Sequence, residues 1–265
     1  VAQPILRTER LVMVPLADRH LELEVELDAD PEVLRYLWGR ARSREEVIAS
    51  HAERMALSGK VDGLGYWMAF ASNGGGPASD HPGTAPEHKT LVEPTSGAKT
   101  TAEPASGAEP SMKSASGAEP TMESASGAEP TMQSASGAEP MVESADGFVG
   151  LMMLPPAHGP DQPDDPAVAE LGYRLARRFW RQGLASEASR ALLRHAFDTV
   201  GQSRVIAQTM AVNAGSRGVM KAVGMRHVRT FFPEWDDPLP GTEEGEVEYE
   251  ITLEMWRNRT RAGAV

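Results

Sequence analysis

The stretch Arg177–Ala188, RRFWRQGLASEA, lies between an alternating run and a helical one. Upstream, Val168–Ala176 (VAELGYRLA) places Leu171, Tyr173 and Leu175 on one side of a period-two pattern, which predicts a strand. Downstream, Leu184, Ala188, Ala191, Leu192 and Ala196 recur at helical spacing and Gly201 follows as a stop, which predicts a long helix. Gly183 therefore marks a strand-to-helix corner. One reading is a plain turn with solvated arginines. The other is an anion site. A helix N-terminus leaves backbone N–H groups unpaired and carries positive partial charge. A glycine there lets an anion approach the main chain, and Arg178 and Arg181 add charge. The corner is not a P-loop, because no Gly-Lys-Ser/Thr follows, and it lacks the three glycines of the dinucleotide fingerprint. Spacing alone leaves both readings open.

The totals narrow the classes. The chain has 265 residues, of which 40% are hydrophobic, enough for one large domain or two small ones. No run reaches the roughly 18–20 apolar residues of a membrane span. The opening VAQPILRTERLVMVPL shows no signal-peptide pattern, so no membrane association and a cytoplasmic location are expected. With no Cys, disulfides, thiolate nucleophiles and Cys-based zinc sites are excluded, and no metal is expected. A net charge of −12 argues against a nucleic-acid partner, since phosphate contacts need Lys and Arg. That charge is unevenly placed. Asn73–Asp146 holds eleven acidic residues and three Lys, leaving −4 for the rest of the chain.

The same segment carries a decapeptide repeat of the form SGAEPTMESA, whose five copies run from Ser96 to Ala145. Its apolar content is Ala, Met and Val, too little to offset chain entropy, and a Pro in nearly every copy interrupts helix and ladder alike. A flexible, solvated insert over 73–146 is expected, with a docking or partner-recruiting arm as the functional alternative. On either side, Gly63–Ala71 and Asp146–Leu154 read as strands. The insert thus opens the tip of a hairpin, a change that costs little closure entropy. One discontinuous domain, 1–72 with 147–259, is the result.

The remaining elements follow from period and punctuation. Leu11–Pro15 reads as a first strand, and ADRHLELEVEL and DPEVLRYLWG as helices, the second with Asp30 as N-cap and Pro31 in the first turn. In SREEVIASHAERMALSG, Ser43 and Glu46 form a capping box, Val47, Ile48, Met55 and Leu57 supply the apolar face, and Gly59 ends the helix. SRVIAQTMAV is a strand, NAGSRGVMKAVGM a short helix capped by Asn213, and RHVRTFF and EVEYEITLEM are closing strands. The order predicts an α/β (α+β) domain with a mixed, mostly antiparallel twisted sheet flanked by helices.

With these elements placed, Glu170–Ala188 resembles the acetyl-CoA signature of the GNAT acetyltransferase superfamily, Gln/Arg-x-x-Gly-x-Gly/Ala. Arg178 takes the first position and Gly183 the last, while Arg181 stands where the first Gly is usual. LRTERLVMVPL is similar to the opening strand of the branch that holds the ribosomal-protein N-terminal acetyltransferases. GYWMAFA with GFVGLMML is similar to its central hairpin, and VNAGSRGVMKAVGM to its Asn-x-x-Ser helix. The resemblance covers nearly all of the chain outside the insert.

The resemblance implies transfer of an acetyl group from acetyl-CoA to a primary amine by direct attack, in a monomer or homodimer. The amine would belong to a small molecule or a protein N-terminus. It implies pantetheine along the strand of Leu171, Tyr173 and Leu175. It implies pyrophosphate at Arg178, Arg181, Gln182, Gly183, Leu184, Ala185 and Ser186, with Asn213 and Ser216 touching cofactor or water. Glu170 is the candidate base, because an alkyl ammonium must lose a proton before it attacks. Tyr173 and Tyr249 are candidate acids that also fit core positions. Glu234, Asp236 and Asp237 form an acidic loop suited to a cationic amine. A non-catalytic acyl-CoA-binding module is the alternative. Replacing Asn73–Asp146 by a short turn is expected to leave the far-UV circular dichroism of a folded domain; an unfolded spectrum would refute the single interrupted domain.

Overall fold

The computed structural model describes residues 2–72, 143–159, 162–235 and 237–263. The chain divides into two units, and the second, Pro77–Ala138, lies wholly outside the described residues. Of the flexible insert expected over 73–146, residues 73–142 lie outside them, as does Asp236, whereas 143–146 are described and Ala145 and Asp146 belong to a 3₁₀ turn, Ala145–Gly147, rather than to a loose segment.

In chain order the elements are β1 (Leu6–Arg7), β2 (Leu11–Pro15), α1 (Leu21–Asp28), α2 (Arg44–Ser58), β3 (Gly65–Ala71), β4 (Phe148–Leu154), β5 (Val168–Glu170), β6 (Gly172–Leu175), α3 (Leu184–Arg194), β7 (Arg204–Met210), α4 (Ala214–Ala222), β8 (Arg226–Phe231), β9 (Glu246–Thr252) and α5 (Leu253–Arg261). One sheet has the order β1-β2-β3-β4-β6 and is antiparallel throughout. The other has the order β5-β7-β9-β8, with β5 and β7 parallel and the rest antiparallel. The mixed, mostly antiparallel sheet flanked by helices expected from the sequence is present.

The hairpin that flanks the insert forms as read. Phe70 pairs with Phe148 and the ladder runs to Gly65 opposite Leu154. Ahead of β4, the Glu143 carboxylate takes Arg19 Nε at 2.8 Å and His20 Nε2 at 3.2 Å. Both faces of β3 and β4 are buried, so they read as continuous apolar runs rather than alternating ones. One core, including Trp67, Leu171, Leu192, Tyr249 and Trp256, gathers residues of both sheets with α3 and the C-terminal helix. A second, around Leu27, Tyr66, Phe70 and Phe148, lies on the face of β2–β4 toward α1.

Between α1, α2 and β6 lies a set of buried charges with no counterpart in the apolar pattern. Asp28 is fully buried and takes Arg174 Nη1 at 2.6 Å and Arg42 Nη1 at 3.4 Å. Arg42 also donates to Glu46 C=O at 2.6 Å and Ser50 Oγ at 2.7 Å. Glu24, equally buried, takes His51 and Arg54. Burial lowers the Arg174 guanidinium pKa from its ordinary value, and Asp28 works against that loss.

Several sequence expectations are corrected. The segment DPEVLRYLWG is a series of turns. Asp30 Oδ1 accepts from Glu32 N–H at 3.0 Å, and the N–H groups of Leu37, Trp38 and Gly39 all converge on Leu34 C=O. Only Leu34 is fully buried there, while Leu37 and Trp38 face solvent, so no helical face is shared with the core. In α2 the Ser43–Glu46 capping box forms and Val47 is buried, but Ile48 is exposed. The long helix is α-helical to Arg194 and continues as a π-helical turn, His195–Val200, before Gly201 ends it at φ 84°. The last strand stops at Thr252, whose side chain accepts from Met255 N–H and starts α5, a helix the alternation had hidden.

Asp28→Ala leaves two buried guanidinium groups without their shared counter-charge. It is expected to destabilise the fold by about 3 kcal/mol, read as a lower urea midpoint at unchanged slope.

Candidate active site

The two sheets are joined through one segment and part beyond it. Glu170 N–H donates to Pro155 C=O at 2.9 Å on one side, and Leu171 N–H to Ile206 C=O at 2.8 Å on the other. From Gly172 onward β6 pairs only with β4, and from Ala207 onward β7 pairs only with β9. The single predicted strand Val168–Ala176 is thus shared between two sheets, and a cleft opens between β6 and β7. Ala176 N–H donates to Val149 C=O at 2.9 Å, which fixes the ladder so that Gly172 and Arg174 bond to β4. The main chain of Tyr173 therefore faces the cleft. Of its neighbours, Leu171 has spent its N–H on Ile206, and Leu175 C=O accepts the Trp180 indole at 2.7 Å.

The corner after β6 is built on backbone conformation. Arg177–Phe179 form a 3₁₀ turn, Arg181 takes φ +60° and Gly183 takes φ +79°. Arg181 is the one non-glycine with positive φ among the described residues. So the position where the resembled signature has a glycine takes the left-handed region, and an arginine occupies it at a cost of about 1–2 kcal/mol. Glu187 N–H donates to Gly183 C=O and opens α3. Among the described residues, no group accepts from the N–H groups of Gln182, Gly183, Leu184, Ala185 and Ser186. That row of free donors at the N-terminus of α3 has the geometry to receive an anion.

The two signature arginines behave differently. Arg178 turns away from the free N–H groups. Its Nη2 donates to Phe148 C=O at 3.0 Å and its Nη1 lies 3.8 Å from Glu26. It lines, with Asp30, Val33 and Ala176, a cavity of about 220 Å³ on the α1 side. The Arg181 side chain is exposed and has no partner among the described residues. Sequence reading missed a third cation, Arg10, from the turn between β1 and β2. Its Nη1 donates to Gln182 C=O at 2.9 Å, and its Nη2 lies beside Gly183. Only the third dimension brings residue 10 to residue 182, and no local pattern marks it.

Across the cleft, Asn213 caps α4. Its Oδ1 accepts from Ser216 N–H at 3.1 Å and its Nδ2 donates to Thr209 Oγ1 at 3.0 Å. The Tyr173 hydroxyl reaches from β6 to α4 and meets Ser216 C=O and Oγ, each at 3.0 Å. Burial pushes the Tyr173 phenol up to about 12, so it holds its proton. Tyr249 is buried in the main core.

Glu170 points to the opposite face of the sheet, which it shares by register with Ile206, Gln208, Glu248 and Glu250. Burial raises its carboxyl above the usual carboxylate range, opposed by a Gln162 hydrogen bond and by His158, whose Nδ1 lies 3.8 Å away. A polar chain leads outward from there. Gln162 Nε2 donates to Gln208 Oε1 at 3.3 Å, Gln208 Nε2 to Glu248 Oε2 at 2.9 Å, and Arg229 Nη2 pairs with that same oxygen at 2.9 Å. Glu246, two residues before Glu248 on the same face, is pushed up to about 7 by burial alone. In the acidic loop, Glu234 and Asp237 are exposed. The described residues hold no cluster of His, Asp or Glu fit for a metal ion, and no helix among them is long and apolar enough to cross a membrane.

The model of the acetyltransferase (GNAT) domain matches residues 100–226. The chain is 31% identical over 258 residues to the FsC-acetyl coenzyme A-N(2)-transacetylase of Aspergillus fumigatus, covering 96% of this chain and 79% of that protein. Many solved structures share the fold. RimL, a ribosomal L7/L12 alpha-N-protein acetyltransferase in complex with coenzyme A, is 13% identical with a TM-score of 0.56, over 95% of this chain and 99% of its own. A probable GNAT-family acetyltransferase of Chromobacterium violaceum is 15% identical with a TM-score of 0.57, over 97% and 91%.

Arg181→Gly is expected to raise stability by about 1 kcal/mol in urea unfolding, because glycine adopts the left-handed conformation without the Cβ penalty. Unchanged or lower stability would show that the arginine side chain, not the backbone, governs this position.

Proposed function

The chain belongs to the GNAT acetyltransferase family and uses acetyl-CoA, and on that premise we propose that it acetylates a primary amine by direct attack, with Glu170 as the base. The observation that carries the reading is the place of Glu170. It sits on the last segment shared by the two sheets, with a carboxyl whose pKa burial has raised. A base must be deprotonated to act, yet basic enough to take a proton from an ammonium, and a raised carboxyl meets both needs. Family membership sets aside the non-catalytic module.

The residues present fit the cosubstrate. The free N–H groups of Gln182–Ser186 suit a pyrophosphate, with the exposed Arg181 as a nearby cation. The unpaired main chain of Tyr173 suits an amide-bearing pantetheine arm laid along β6. Acetyl-CoA supplies an activated acyl carbon and a thiolate that leaves readily. Arg178 serves the corner differently from the expectation, by tying it to β4 rather than by meeting phosphate. Asn213 and Ser216 hold the far wall of the cleft through Thr209 and Tyr173. The polar chain Gln162–Gln208–Glu248 holds the Glu170 carboxyl in place through Gln162, and the proton that Glu170 takes leaves to solvent.

The acceptor approaches from the face of Glu170, Gln208 and Glu246, where carboxylates attract a cation. The N(2)-transacetylase, at 31% identity, supports a small-molecule amine over a protein N-terminus as the first acceptor class to test. Thiol release from acetyl-CoA with FsC, a set of amino sugars and an N-terminal peptide tests this directly. Turnover with none of these amines would overturn the reading. Glu170→Gln is expected to lower kcat about 100-fold or more with an unchanged acetyl-CoA Kd. In the wild type, kcat/KM is expected to rise with pH through a value above the usual carboxylate range, because only the carboxylate form accepts the proton. That limb is lost in Glu170→Gln. Unchanged turnover removes Glu170 from the mechanism.

A further inference from the structure

Glu187 lies in the first turn of α3, and both its oxygens are taken by the far end of the chain. Oε1 accepts from Thr8 Oγ1 at 2.5 Å and from Arg10 N–H at 2.9 Å. Oε2 accepts from Arg10 Nε and Nη2, each at 2.7 Å. Arg10 then reaches past the carboxylate, and its Nη1 donates to Gln182 C=O at 2.9 Å. The turn that carries these groups is itself tied. Thr8 N–H donates to Leu11 C=O at 2.9 Å, and Leu11 N–H donates back to Thr8 Oγ1 at 3.0 Å. Burial works against the Glu187 carboxylate, yet the bonds from Thr8 and Arg10 hold its pKa below the ordinary value.

A trans peptide is planar, with its C=O and N–H pointing in opposite directions. Fixing Gln182 C=O on Arg10 therefore directs Gly183 N–H away from Arg10, where it remains unpaired among the described residues. The residue just before, Arg181, is held at φ +60°. Such a conformation persists only when its surroundings over-determine it. Two bonds do so here: Arg10 on the Gln182 carbonyl, and Gln182 Nε2 on Arg178 C=O at 2.8 Å.

We propose that Thr8, Arg10 and Glu187 form a clamp that positions the phosphate-binding corner, so that the N-terminal turn is part of the coenzyme site. Glu187 and Arg10 are positioning residues. They set the direction of the free N–H groups, and they do so before any coenzyme arrives. The inference rests on the coenzyme being bound at the N-terminus of α3.

The test compares coenzyme A with pantetheine, which lacks the pyrophosphate, by calorimetry and competition. Glu187→Gln and Arg10→Lys are each expected to weaken coenzyme A binding about tenfold, the loss of charge-assisted hydrogen bonds. Lysine keeps the charge but cannot fork between Glu187 and Gln182, so its loss reports geometry rather than charge. Pantetheine affinity is expected to stay within about twofold on the same argument. Wild-type coenzyme A affinity in a folded Glu187→Gln protein overturns the clamp, and so do equal losses for both ligands. If Glu187→Gln does not fold, Arg10→Lys decides. If the wild-type chain itself does not bind coenzyme A, the activity reading fails instead. The clamp is then judged without ligand, from the heteronuclear NOE of the Gln182–Ser186 amides. Those values are expected to fall in the variants, and unchanged values overturn the clamp.

Discussion

The hydrogen bond from Leu171 N–H to Ile206 C=O is the last rung common to the two sheets, and the cleft exists because no further rung follows. Had β6 and β7 continued side by side, every main-chain group between them would be paired and no edge would remain for a ligand. An unpaired strand edge in a protein interior is costly unless something satisfies it. Here the vacant positions on Tyr173 face a cleft that suits an amide-bearing arm. The same departure carries β6 toward the corner at Gly183 and β7 toward Asn213, so one bond sets both walls.

What keeps β6 in place with a partner on only one side is its two faces. Tyr173 and Leu175 pack on the main core, and the Tyr173 hydroxyl ends on Ser216. Arg174 points the other way, into the fully buried Asp28. A buried ion pair contributes little net stability, since its desolvation offsets most of its attraction. Its geometry is nonetheless demanding. It ties the strand that borders the cleft to α1, and through Arg42 to α2. The helices on that face thus act on the site through charge, not only through apolar contact.

The corner shows how a departure from a family pattern is absorbed. A glycine position filled by arginine keeps the left-handed backbone, and the strain is held by hydrogen bonds on either side of it. In exchange the loop gains an exposed cation. Arg178, which occupies the motif's first position, is used as a tether to β4 instead. The corner's shape is therefore set less by the motif's side chains than by the directions of its peptide groups.

Much of this was legible beforehand. Short apolar runs located β2, β3, β4 and β7, alternation located β9, and the Ser43–Glu46 and Asn213 caps located α2 and α4, because these signals are local. DPEVLRYLWG misled because its caps and propensity are local while its lack of a buried face is not, and α5 was hidden by alternation running past Thr252. The sequence by itself determined the elements, the strand-to-helix corner and the residue types gathered around it. Only the tertiary structure decided that one alternating run serves two sheets, that Arg178 faces away while Arg10 faces in, and that Asp28 and Arg174 meet in the interior. Those outcomes rest on which hydrogen bonds and charges remain unpaired once distant segments pack, and no pattern of neighbours along the chain encodes that.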